Sequence, residues 1–413
     1  MMKRWAKIWP HVPGVTRRLE AILATGMPGL YRVIAFLVVQ RVYSLGDLGR
    51  AGVAFAIAQT LAFFTAIGWA GLVLVRVPAA PDRARRVQRF YELAFMGMMT
   101  LSVCSVMTAI IGRLPHFDFP VLETVVILAG WTVYQLTRHY FLAHREYRFI
   151  VLSDAVLLLN TFLSIFAFRR LNASAGLPLG FALALSGVLM LWRIGRPDNF
   201  KVPRCETAGL EFGFTNLLSG GIALSLVPIA SHTDGAQFAG LMSLIGSICA
   251  ISALIPRAIT TYRLPELSRL AAAGESLHDL TRKTNREIQL ASIATFAGSS
   301  VFVGAICYLN ATAREFSYAF GCGLAMSAVG CISMSSMAHS SVLMVREASK
   351  PAMLINLTAC LAYVSTALLL YLFGGFHFLS VLTACIAVTV MRNRLLKAKS
   401  TLLCAPANSA PRG

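Results

Sequence analysis

Polar positions are scarce along this chain, and they interrupt the apolar ones at regular intervals. Runs long enough to cross a hydrocarbon core, about 20 residues as helix, cover 22–43, 51–75, 91–112, 119–137, 149–168 and 174–192. Six more cover 207–230, 236–256, 288–308, 317–338, 352–373 and 375–391. A helix satisfies all its backbone groups within one segment, which is what a bilayer without water demands. The pattern therefore predicts an all-α polytopic membrane protein of twelve transmembrane helices. The connections are too short for a soluble domain.

Charge adds an orientation. Of the 37 lysines and arginines, only Arg41, Arg50, Arg113, Arg169, Arg170 and Arg314 fall in the odd-numbered loops, and Arg32 falls inside a run. All others lie in the two tails or the even-numbered loops. Such alternation predicts that both termini face the cytoplasm. A miscounted span would reverse the alternation part-way, and no reversal occurs. The net charge of +19 would suggest nucleic acid in a soluble chain. Here it stands beside membrane ends, where anionic lipid head groups are its partners, so no nucleic acid is expected. The basic start, MMKRWAKIWP, precedes a run without a small-residue cleavage site and is read as leading into an uncleaved first span.

The chain also repeats. GDLGRAGVAFAIAQ, leading to Arg76-Val77-Pro78, matches TDGAQFAGLMSLIG, leading to Arg263-Leu264-Pro265. In each, an aspartate (Asp47, Asp234) precedes a glycine, an apolar helix and an Arg-x-Pro exit. Six spans per repeat give both halves the same orientation, hence a parallel repeat of two six-helix lobes. The expected division is 1–200, 201–396 and a cytoplasmic tail at 397–413. Breakers recur in corresponding helices, Gly26-Met27-Pro28-Gly29 in the first and Ser219-Gly220-Gly221 with Pro228 in the seventh. In transporters built from repeats, such weak points accompany the transport site.

Enzymatic chemistry is not indicated. The nine cysteines form no CxxC pair, no histidines stand at metal-ligand spacing, and no phosphate-binding loop is present. No cofactor is expected, and energy for transport would come from gradients or from a separate subunit. The informative residues are polar groups at depth. Arg32 stands mid-way along the first run, where insertion costs about 2.5–3.5 kcal/mol, unless Pro28-Gly29 begins the helix and leaves it at the interface. Arg257, after Pro256, has the same two readings, cavity or interface. A guanidinium at depth suits phosphate. Gln59 and Asn216 suit sugar hydroxyls or bonds between helices. Asp154 and Glu211 are the acids placed to take a coupling proton or sodium ion, or to form salt bridges near the cytoplasmic surface.

DLGRAGVAFAIAQTLAFFTAIGWAGLVLVRVP resembles the second-helix region of polysaccharide-unit flippases of the multidrug/oligosaccharidyl-lipid/polysaccharide exporter superfamily, and LPELSRLAAAGE resembles their segment after helix eight. The chain departs from that pattern at Ala66-Ile67-Gly68, where an acid often precedes the glycine, and at Val53, where an aromatic often stands. The resemblance implies two lobes in a V around a cavity lined by helices one, two, seven and eight. Arg32 and Arg257 would there hold the diphosphate of a polyprenyl-linked oligosaccharide. Glycosyltransferases and a polysaccharide polymerase would be its partners. The alternatives are an ion-coupled exporter of small cationic or amphipathic compounds, which needs a functional acid, and a membrane glycan polymerase or ligase, which needs a larger outer loop.

Overall fold

The computed structural model describes residues 12–405 except 79, 115–118, 198–199, 201, 204–205, 313 and 347. The basic residues Lys3, Arg4, Lys7, Lys201, Arg204 and Arg412 lie outside the described residues. Each of the twelve apolar runs lies on one helix: α1 (Val12–Val42), α2 (Leu45–Arg76), α3 (Arg83–Ile111), α4 (Val121–Ala143), α5 (Tyr147–Arg170), α6 (Leu177–Ile194), α7 (208–234), α8 (236–272), α9 (His278–Asn310), α10 (Phe316–Val345), α11 (Ser349–Leu372) and α12 (Phe378–Leu403). Among the described residues, nine stretches are long and apolar enough to cross a bilayer. The longest of them joins α7 to α8 through Gly235, whose φ of 86° ends one helix and starts the next. That value lies in the left-handed region, which glycine enters without a Cβ penalty.

Several helices outrun their apolar stretches at the basic end. α8 continues to Ala272 through the expected Arg-x-Pro exit, whereas α2 stops at Arg76. The residues after each proline explain the difference. Glu-Leu-Ser-Arg-Leu-Ala after Pro265 is rich in helix formers, while Pro78 is succeeded by Pro81 and Asp82, whose carboxylate caps α3 by accepting from the Arg85 N–H at 2.8 Å.

Two compact units result, Met1–Val42 with Leu61–Phe214, and Tyr43–Thr60 with Thr215–Gly413. The division cuts α2 and α7. Packing repeats between the units: α3 on α4, α4 on α6 and α5 on α6 in the first correspond to α9 on α10, α10 on α12 and α11 on α12 in the second. Lipid is as apolar as these helix faces, so close approach and interhelical hydrogen bonds hold them together. The outer segment of α2 crosses α8 at Gly49 and Gly240; a Cβ on Gly240 would lie 2.2 Å from the Leu45 carbonyl oxygen. Near the other end of α2, a π-helical turn (Phe63–Ile67) brings Thr65 to Thr132 of α4, hydroxyl to hydroxyl at 2.7 Å. Both threonines are fully buried.

Candidate functional site

The most concentrated polar chemistry of the first unit lies where α1, α4 and α5 meet. It begins with Pro28, inside α1. Proline has no N–H, so the carbonyl four residues earlier, that of Ala24, loses its helical donor. Arg138 of α4 supplies one: its Nη2 donates to the Ala24 carbonyl oxygen. The same nitrogen stands 3.4 Å from Oδ2 of Asp154 on α5, and Tyr134, one turn before Arg138, donates its hydroxyl to Oδ1. Spacing of four places Tyr134 and Arg138 on one face of α4. Seven residues after Asp154, the Thr161 hydroxyl meets that of Tyr31 on α1 at 3.3 Å.

Arg138 is 4% exposed and Asp154 1%, so this is an ion pair withdrawn from solvent. Removing either member strands a charge, at a cost of about 3–5 kcal/mol. The Arg138 Nε is also buried and has no acceptor among the described residues. The cluster thus links an ionisable carboxylate to the one carbonyl of α1 released by its proline.

The sequence-predicted residues are distributed over both units. Arg32 comes directly after Tyr31 on α1, half-buried, with its Nε buried and its guanidinium 5.4 Å from the centre of the Phe36 ring. α1 starts at Val12 and not at Pro28, so Arg32 lies within the helix, ten residues or about 15 Å before its end at Val42. Gln59 and Asn216 are half-buried on α2 and α7, and Arg257 is exposed on α8, all in the second unit. Glu211 is exposed in the first turn of α7, accepting from the Thr207 hydroxyl at 2.8 Å, where the helix N-terminus favours an acid. Asp154 forms a buried pair with Arg138. Arg138 itself, assigned by hydropathy to the fourth loop, lies within α4. Its signal in the sequence was the Tyr-x-x-x-Arg spacing beside a span that carries an aspartate.

The second unit repeats the layout with different chemistry. Asn356 and Tyr363 stand seven apart on α11, as Asp154 and Thr161 do on α5. The Asn356 Oδ1 accepts from the Arg392 Nε at 2.6 Å, and the Tyr363 and Ser225 hydroxyls are 2.8 Å apart. An amide occupies the place of the carboxylate.

A twelve-helix membrane protein with such paired six-helix arrangements belongs to a known structural class. No protein-family model matches the chain, and no curated protein matches its sequence. Solved structures do match in fold. The chain is similar to the MATE multidrug transporter DinF-BH, with TM-score 0.64 and 14% identity over 93% of this chain and 94% of that one. The eukaryotic MATE transporter AtDTX14 gives TM-score 0.58 and 15% identity over 95% and 96%. A MOP superfamily transporter from Pyrococcus furiosus, described as having a binding pocket of reversed polarity, gives 0.54 and 11% over 94% and 95%. The fold of this chain is therefore the MATE-like transporter fold.

Proposed function

We propose that this chain is an ion-coupled secondary transporter working by alternating access, in which Asp154 takes up the coupling ion and the cargo is a small amphipathic or cationic compound moved outward. The observation that carries the reading is the buried Asp154–Arg138–Tyr134 cluster fastened to the proline-released carbonyl of α1. Intramembrane ionisable groups are costly, so a carboxylate at depth serves a purpose. A proton fits the site better than sodium, because Tyr134 and Arg138 are donors and a metal ion needs acceptors. Protonation removes the charge that holds Arg138 and so changes the relative stability of two conformations, which is all that alternating access requires. The structural neighbours described as multidrug transporters support the cargo class. The cytoplasm would face the basic helix ends, with both termini on that side.

A second reading, flipping of polyprenyl-diphosphate-linked oligosaccharide, is favoured by Arg32 within α1 and Arg257 exposed on α8. Each guanidinium suits a phosphate, Gln59 and Asn216 suit sugar hydroxyls, and glycosyltransferases and a polymerase would be the partners.

One experiment separates the readings. Purified protein in proteoliposomes with an imposed pH gradient is assayed for uptake of a fluorescent lipophilic cation, and membranes of a deletion strain are assayed for inner-leaflet lipid-linked oligosaccharide. On the first reading Asp154→Asn abolishes gradient-driven uptake and Arg32→Ala leaves it near wild type. Gradient-independent transport by wild type refutes the coupling. Accumulation of the lipid-linked oligosaccharide with Arg32→Ala, and no cation uptake, moves the conclusion to the flippase.

A further inference from the structure

A groove of about 650 Å³ runs between α5 and α6 of the first unit, walled by Phe149, Leu152, Val156, Leu189 and Trp192 and closed at one end by Arg193. The Arg193 guanidinium stacks over the Phe149 ring at 3.9 Å and donates from Nη2 to Glu146 at 3.4 Å. A guanidinium has five N–H groups in a planar fork, and Glu146 takes one among the described residues. The stacking fixes the plane of the fork, while the side chain remains 55% exposed. Trp192, 85% exposed, marks the level at which aromatic and basic residues gather beside lipid head groups. The same helix ends carry exposed Arg145, Arg148 and Arg196 against Glu146 and Glu20, the latter paired with Arg148 at 2.6 Å, so the surroundings are positive.

The opposite flank of α6 offers a contrast. There a second groove, about 440 Å³, is lined by Phe90, Phe95, Met98, Leu136 and Leu191 and has no charged residue in its wall. Two grooves on one helix therefore share apolar walls and differ in a single oriented cation. We propose that the α5–α6 groove is a binding site for a phospholipid with an anionic head group, one acyl chain lying along Leu152, Val156 and Leu189 and the phosphate on Arg193. Charge complementarity selects the head group; the α3–α4–α6 groove takes acyl chains without such selection. This inference does not depend on which cargo the protein carries.

The test is native mass spectrometry of the purified full chain with phosphatidylglycerol or phosphatidylcholine of identical acyl chains. Wild type is expected to retain one phosphatidylglycerol, with about tenfold preference over phosphatidylcholine. Arg193→Gln, a change at an exposed position, should bring the ratio to about one, and Val156→Trp, which fills the groove, should remove the retained lipid. Leu191→Trp in the uncharged groove should leave the preference intact. No preference in wild type, or an undiminished preference in Arg193→Gln, overturns the proposal; if Val156→Trp fails to fold, the Arg193→Gln result alone decides.

Discussion

The link between Pro28 and Arg138 can be measured as a coupling energy. Arg138→Met removes the donor to the Ala24 carbonyl and leaves Asp154 with Tyr134 alone, which should cost about 3–5 kcal/mol. Pro28→Ala returns an N–H to the helix four residues after Ala24, so that carbonyl no longer needs Arg138. In the Pro28→Ala background, Arg138→Met should therefore cost less by the value of one charge-assisted hydrogen bond, about 1.5–3 kcal/mol. The residual cost is the stranded carboxylate. Unfolding in mixed micelles titrated with denaturing detergent gives the four stabilities of the cycle, and gradient-driven transport of the same proteins gives the functional arm. Pro28→Ala should be at least as stable as wild type yet transport more slowly, because the cluster no longer acts on the path of α1. Additive stabilities, within about 0.5 kcal/mol, would refute the idea that Arg138 compensates for the proline.

The same geometry sets other expectations. Replacing the pair together, Asp154→Leu with Arg138→Met, should restore most of the stability lost in either single variant, while transport stays abolished; unfolding midpoints against uptake rates check this. Gly240→Leu should prevent folding into the native packing of α2 on α8, read as loss of the monodisperse peak in size-exclusion chromatography, since even a Cβ there meets the Leu45 oxygen at 2.2 Å. Arg346→Ala should destabilise the second unit by about 3 kcal/mol, because its guanidinium donates to the carbonyls of Ala271, Glu275, Leu403 and Ala405, gathering the ends of α8 and α12. Truncation after Leu402 should have a similar effect in the same unfolding assay, whereas removal of residues 406–413 should be neutral.

The twelve helices were readable because hydropathy reports directly on what lipid tolerates, and each apolar run coincides for most of its length with one helix. Their ends were not. Helix α4 runs on to Ala143, α8 to Ala272 and α12 to Leu403, since a helix continues past its apolar run wherever helix formers come next. That displacement hid Arg138, which hydropathy left one residue beyond the fourth run. The first run held Arg32 mid-way along it, and α1 starting at Val12 shows that Pro28-Gly29 does not begin the helix. Asp154 was visible as an acid in a span, but its partners lie on other helices, and partnership across helices is a tertiary fact. Pro28 announces an orphan carbonyl in sequence; only packing reveals what answers it. The cut of the two compact units through α2 and α7 is likewise invisible to hydropathy, which sees a span as a whole.

The internal repeat bears on why one unit carries an acid. Both units join the fifth helix of the repeat to the first by a hydroxyl pair, Thr161 with Tyr31 and Tyr363 with Ser225. Seven residues earlier on that helix each unit engages an arginine, through Asp154 in one case and Asn356 in the other. The amide fastens an arginine without a second charge, but that arginine, Arg392, comes from α12, the sixth helix of its repeat, whereas Arg138 comes from α4, the fourth. A carboxylate withdrawn to 1% exposure is the costlier solution, since desolvating an ion pair often exceeds what the pair returns. The units thus differ at this position in a group that can change its charge. On the proposed reading, a repeat in which only the first unit carries an acid at this position would confine this means of ion coupling to the unit containing α1 and its proline.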